Sequence, residues 1–185
     1  MAKVGFRYAY WAVATEGAGG ALTYAAPKVI GKAVSGNLTW TKSTGEFYAD
    51  DELAEKIDDI IGGSYAMDVD NVELADQAEM VGSTYTAEGG LVTNKDDVAP
   101  FGGFAGIRVL RWKGAYYYEP YFFPKVQASV TDESDNTKTA SPSFGTKPLN
   151  FALYPNADGD VRKLNRFDTE AAAITYINTC FGASV

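Results

Sequence analysis

The sequence predicts a mainly β protein of the α+β class, from its composition, its turn signals and the alternation of its apolar residues. It contains 12 Tyr, 10 Phe and 19 Gly, a mixture typical of strands joined by turns. With 185 residues, 46% of them hydrophobic, the chain can bury a sizeable core. Several segments alternate apolar and polar residues with the period of two that a half-buried strand requires.

The first predicted strand runs from Phe6 to Ala14 and ends at the glycine cluster Gly17–Gly20. A second strand is predicted where Val34, Leu38 and Trp40 alternate with polar residues. Between residues 43 and 61 the alternation breaks. This excursion contains a Ser-Thr-Gly turn, the string FYADD and three apolar residues at helical spacing. We expect either a short helix or an extended hairpin there, outside the core.

The next strand, Ser64–Asp70, has two distinct sides. We expect its apolar side to face the core, and the opposite side to be acidic, with Asp68 and Asp70 sharing it. Asn71 is then predicted to cap a helix over about 72–81 that ends at Gly82. The residues expected on the buried side of that helix are Leu74, Ala78 and Val81.

A hairpin is predicted from Phe104–Trp112 and Ala115–Phe123 around Lys113-Gly114. Pro120 and Pro124 suggest a sheet edge or an exit from it, because proline cannot donate to a ladder. Further strands are expected at 125–130 and 149–154, on either side of a polar loop. A closing helix is expected over 168–180, and the residues predicted to form its buried side are Ala172, Tyr176 and Cys180.

Little in the sequence indicates catalysis, a metal site or a cofactor. The absence of His removes the commonest general base and zinc ligand, and Cys180 has no second cysteine in the chain to pair with. Adjacent acids such as Asp58-Asp59 are typical of a solvated face, and two calcium-loop-like strings lack required positions. No signal peptide or stretch of the ~18 apolar residues needed for a membrane span is recognised. We therefore expect no enzyme and no membrane partner.

Charge is divided unevenly along the chain. Residues 50–97 contain 14 Asp or Glu and 2 Lys, whereas the remainder contains 10 acids and 14 bases, which together give the net charge of −8. Such a division indicates a surface that meets a partner of opposite sign or that keeps a polyanion away. The excursion, with apolar residues beside acids, is a candidate subunit interface made of Phe47, Tyr48, Asp50, Asp51, Leu53 and Ile57.

The order of several short motifs resembles the major tail tube proteins of long-tailed, siphovirus-type bacteriophages. These motifs are KVGFRYAYWA, TYAAPKVIGKAVS, FYADD, MDVDNVELADQAEMVG, YTAEGGLV and DDVAPFGGFAGIRVLRWKGAYYYEPYFFPKV. The resemblance covers roughly residues 3–155. It implies a tail tube β-sandwich or barrel-like domain over 1–155 with a flanking helix. Residues 156–185 would be a C-terminal extension with a helix that packs on the same domain or on a neighbour.

The resemblance also implies a structural protein of the virion, assembled in the host cytoplasm. Subunits would form hexameric rings that stack into a tube, with tape-measure, tail terminator and baseplate or distal tail proteins as further partners. DNA would pass through the lumen without specific binding, and Asp68 and Asp70 would face it. The alternatives are a carbohydrate-binding β-sandwich, suggested by the aromatic string AYYYEPYFF, and a carboxylate glycosidase.

Overall fold

The computed structural model describes residues 1–49, 52–131 and 145–183, with the backbone alone for 47–49 and 52–55. Within these residues the chain is mainly β, with two α-helices and a short 3₁₀ turn, as the sequence predicts for its class. The first strands are β1 Ala2–Glu16, β2 Leu22–Tyr24, β3 Lys28–Val29, β4 Ala33–Ala49 and β5 Glu52–Val69. Helix α1, Leu74–Val81, precedes β6 Thr84–Thr86, β7 Gly90–Val92, β8 Phe101–Trp112, β9 Ala115–Ser129 and β10 Lys147–Tyr154. The last elements are β11, Lys163–Leu164, and α2, Glu170–Cys180.

Nine of these strands form one antiparallel sheet. Its order is β2-β1-β8-β9-β10-β5-β4, with β3 added to β1 and β11 added to β9, while β6 and β7 form a separate hairpin. The sheet curls back on itself. Phe6 of β1 and Leu38 of β4 pack on the same hydrophobic cluster, although their strands lie far apart in the strand order. A groove lies between these two strands on the inner side of the curl.

The inner face of the sheet encloses an aromatic cluster. Trp11, Phe104 and Phe151 are fully or almost fully buried, and the rings of Phe104 and Phe151 stack at 4.7 Å. A Cβ atom at Gly102 would lie 2.2 Å from the indole of Trp11, so only glycine fits against that ring. The hydroxyls of Tyr65 and Tyr121 share a buried hydrogen bond of 2.8 Å, which provides each with a partner inside the apolar core.

The outer face of β8 and β9 packs against α2. Ala173 and Ile177 are fully buried there beside Phe122, Ile107 and Phe181. The prediction that Ala172, Tyr176 and Cys180 form the buried side of α2 was wrong. The buried residues, Ala173 and Ile177, each follow a predicted residue by one position. The sequence EAAAITYINTC is apolar on most sides, so its spacing does not select a face, whereas the sheet selects the aliphatic one. Thr169 caps the helix by accepting the N–H of Ala172.

Helix α1 begins later than the sequence suggests. Glu73, rather than Asn71, is the N-cap residue, and it makes no side-chain capping bond. The helix ends as expected at Gly82, which has a left-handed φ of 74°. Its buried residues include Met80 along with Ala78 and Val81, whereas Leu74 is 48% exposed, so the predicted buried side was only partly correct.

The segment after α1 is held by one carboxylate. Asp97 Oδ2 accepts the hydroxyl of Ser83 at 2.7 Å and the backbone N–H of Asn94 at 2.8 Å. These hydrogen bonds lower the pKa of Asp97 below its ordinary value, the bond from Asn94 contributing most.

Strands β8 and β9 form the predicted hairpin, and Lys113 and Gly114 both have positive φ, as a tight two-residue turn requires. The prediction of a sheet edge at the prolines was wrong, because both lie inside β9. The carbonyl of Pro120 accepts the N–H of Asn165, so the ring nitrogen of Pro120 also points away from β8. The missing N–H therefore removes no hydrogen bond between β8 and β9. Pro124 lies opposite the irregularity between Gly102 and Phe104.

The C-terminal extension folds against the sheet of its own chain. β11 pairs with β9, and Phe167 forms a bridge with Tyr118 before α2 begins. At the start of α2, Glu170 accepts a hydrogen bond from the hydroxyl of Tyr8 at 3.0 Å and forms an ion pair with Arg7 at 3.0 Å. Tyr8 has a φ of 61° and lies at an irregularity of β1, so the contact with Glu170 anchors a strained position.

Candidate assembly surfaces

The excursion predicted between residues 43 and 61 is the outer part of a long hairpin made by β4 and β5, and not a helix. β10 pairs with β5 only over Gly63–Val69, so beyond Gly62 the two strands pair only with each other among the described residues. We call this outer part the ribbon, residues 42–49 and 52–60. At its base Ile61 is left unpaired, and Gly62 adopts a φ of 158°. An isolated two-stranded ribbon is at best marginally stable in water, which makes a covering partner favourable.

The ribbon exposes aliphatic side chains beside charged ones. Ile57 and Ile60 are 50% and 49% exposed, and Ile61 at the base is 55% exposed. On one side of the ribbon Lys42 pairs with Asp58 at 2.7 Å and Lys56 with Glu46 at 3.3 Å. Such exposed pairs contribute little stability, so they orient the surface more than they stabilise it.

The structure places the predicted interface residues as follows. Phe47, Tyr48 and Leu53 lie on the ribbon, where Tyr48 is opposite Leu53, and Ile57 lies further along the second strand. Asp50 and Asp51 lie outside the described residues. The described members of the set therefore share one projecting hairpin.

The two sides of β5 are divided as the alternation predicts. Tyr65, Met67 and Val69 are buried, Asp68 is on the other side, and Asp70 is exposed directly after the strand. Asp68 accepts the hydroxyl of Ser35 at 2.6 Å.

Asp70 fixes a turn as well as carrying charge. Its Oδ1 accepts the backbone N–H of Lys32 at 2.7 Å and that of Asn71 at 2.8 Å. These backbone hydrogen bonds, led by the one from Lys32, lower the pKa of Asp70. Of the two predicted lumen acids, Asp68 is therefore the one that can be changed with less effect on the backbone.

The groove between β1 and β4 is a polar, cationic site that the sequence did not indicate. It has a volume of about 560 Å³, and Lys3, Phe6, Leu38, Arg108 and Arg162 are among its lining residues. Arg108 and Arg162 lie far apart in the sequence. The pairing of both β8 and β11 with β9 brings these two arginines to one place, and the curl of the sheet adds Leu38 of β4 to the same groove.

Behind the groove a buried carboxylate is held between two guanidinium groups. Glu119 is 9% exposed and accepts Arg166 at 3.1 Å and Arg108 at 3.4 Å. Arg108 also lies over the ring of Tyr121 at 4.7 Å. A buried charge requires such partners. The single acid in the string AYYYEPYFF was the one sequence signal that could have identified this cluster.

Comparison with protein-family models, with curated proteins and with solved structures gave no match to this chain. Among the described residues, no group of three or more acidic or cysteine side chains is arranged to hold a metal ion. In the same part of the chain, neither helix has the length and apolar character needed to cross a membrane.

Proposed function

We propose that this protein is a structural subunit of a bacteriophage tail tube, which assembles into hexameric rings that stack around a DNA-conducting lumen. The observation that carries the proposal is the ribbon. It extends beyond the sheet, pairs with no third strand among the described residues, and exposes Ile57 on one side and Ile60 on the other. Neighbouring subunits that cover the ribbon would remove these apolar side chains from water and protect its strand edges.

The charge distribution supports the same proposal. Asp68 lies on the side of β5 opposite the core and Asp70 directly follows the strand, both within the acidic stretch 50–97. If that side lines the lumen, its negative potential repels the phosphate backbone and lets DNA slide. Tape-measure, tail terminator and distal tail proteins are the further partners that this function requires.

The carbohydrate-binding alternative has less support. Of the aromatic string that suggested it, Tyr121, Phe122 and Phe123 are buried at 2% exposure or less. They pack the two faces of the sheet, so no continuous aromatic platform is open to a sugar ring.

The ribbon is tested by replacing Ser43–Asp59 with Asn-Gly, which joins the directly opposed Lys42 and Ile60 through a two-residue turn. The shortened chain should keep its thermal transition, because the removed residues whose side chains the structure describes, 43–46 and 56–59, are all exposed. Electron microscopy of negatively stained protein should show tubes for the full chain and dispersed particles for the shortened one. Tubes of normal length from the shortened chain would exclude the ribbon as the assembly element.

The lumen assignment is tested with the half-buried Asp68 changed to Lys, Asp68→Lys, and Asp96→Lys at an exposed acid elsewhere serves as the control. The first change should leave tubes intact but slow genome ejection at low salt, with recovery as salt screens the new attraction. Equal ejection rates for both variants at every ionic strength would exclude Asp68 from the lumen.

A further inference from the structure

The groove between β1 and β4 is bordered by two strand edges that lack neighbours. Within the described residues, β1 pairs with β8 from Ala2 to Arg7 and gains β3 and β2 only from Tyr10 onward. β4 is the last strand of the sheet and pairs only with β5. Backbone donors and acceptors of both edges therefore face the groove, and such edges readily accept a further strand.

The groove also has more cations than acids. Lys3, Arg108 and Arg162 line it, and the neighbouring carboxylate, Glu119, is already shared by Arg108 and Arg166. Among the described residues Arg162 has no carboxylate partner, and its guanidinium lies over the ring of Trp40 at 5.1 Å. Desolvation and the nearby Arg108 lower the pKa of Arg162. An incoming carboxylate would relieve this excess of positive charge.

We propose that the groove receives the second strand of the ribbon from another copy of this chain, with Asp59 pairing with Arg162 and Ile57 contacting the apolar floor. Phe6 and Leu38 form that floor. Asp59 and Ile57 share the side of the ribbon opposite the Lys42–Asp58 pair, so they are not engaged by the ribbon's own ion pairs. The partner is thus acidic and aliphatic where the groove is basic and apolar.

Ile57 of the same chain cannot reach the floor of the groove. Leu38 of that floor pairs with Tyr65, and Ile57 lies eight residues earlier on the same strand (65 − 57). At the rise of an extended strand this separation is roughly 26 Å. The contact of Ile57 with the floor must therefore be made between chains. This inference rests on the proposed tail tube function. It specifies which surface of one subunit accepts the ribbon of the next subunit.

Charge reversal tests the pairing. Arg162→Glu and Asp59→Lys should each raise the concentration needed for assembly by about tenfold or more, and the double variant should return to within a few-fold of wild type. Lys113→Glu and Asp96→Lys, at exposed positions away from both surfaces, are the matched controls. Normal assembly of Arg162→Glu, or a double variant no better than the singles, would overturn the inference while leaving the tail tube proposal intact.

A second experiment does not depend on tube formation. In a Cys180→Ser background, a Leu38→Cys chain is mixed with an Ile57→Cys chain and oxidised, because Leu38 is the floor residue that Ile57 is proposed to contact. A covalent heterodimer should form, and an Ile57→Cys chain mixed with Thr86→Cys, at an exposed site on β6, should give none. Failure to cross-link the first mixture would overturn the inference. Binding of duplex DNA that is lost in Arg162→Glu would also overturn it, by assigning the groove to nucleic acid.

Discussion

Truncation of Ile177 tests whether α2 completes the fold of its own subunit. This side chain is fully buried and packs in the outer cluster with Ile107, Phe122 and Phe181. Ile177→Ala removes three carbon atoms, which at about 0.8 kcal/mol each correspond to about 2.4 kcal/mol of lost burial. The cavity left under a helix that cannot fully collapse raises the cost to about 3–4 kcal/mol. For a chain of this size the melting temperature should fall by roughly 6–16 °C.

The assay is thermal unfolding followed by circular dichroism, at a concentration where sedimentation shows the chain to be monomeric. Thr175→Ala, at an exposed position of the same helix, is the control and should change stability by no more than about 0.5 kcal/mol. If Ile177→Ala has the same melting temperature as the control, α2 does not stabilise the isolated subunit. That result would contradict the packing of α2 on β8 and β9.

Three further predictions concern the core and one loop. Gly102→Val should lower the melting temperature by more than 10 °C or prevent folding, since its Cβ atom would lie 2.2 Å from a buried indole. Tyr65→Phe and Tyr121→Phe should each cost about 1–3 kcal/mol by urea denaturation, because each leaves one buried hydroxyl unpaired; a double variant as costly as the sum would contradict the shared bond. Asp97 has a lowered pKa when folded, so its contribution to stability is present above its ordinary value of 3.8 and is lost as the pH falls through the lower folded value. Asp97→Asn should therefore be less stable than wild type at neutral pH, and the two urea midpoints should converge on acidification; a constant gap would contradict this.

The parts of the fold that the sequence predicts are those set by local pattern. The alternation around Tyr65 and Met67 correctly gave the sides of β5, and Lys113-Gly114 correctly gave the turn between β8 and β9. In each case the side-chain period or the backbone conformation depends on neighbours in the chain.

The errors arise where a distant element decides. The buried side of α2 depends on which face of the sheet it meets, and Ile177 rather than Tyr176 fits against Phe122. Pro120 is tolerated inside β9 because its missing donor faces the short β11, which the sequence does not indicate. The groove was missed for the same reason, since Arg108 and Arg162 meet only because β8 and β11 both pair with β9.

The most direct test of the central claim is the assembly state of the unmodified chain as its concentration is raised. Sedimentation velocity and electron microscopy of the same samples should show a transition from monomers to hollow tubes built of stacked sixfold rings. Image reconstruction should place the ribbon of each subunit against a neighbour. A chain that stays monomeric at every concentration, or whose assemblies leave the ribbon uncovered, would contradict the account.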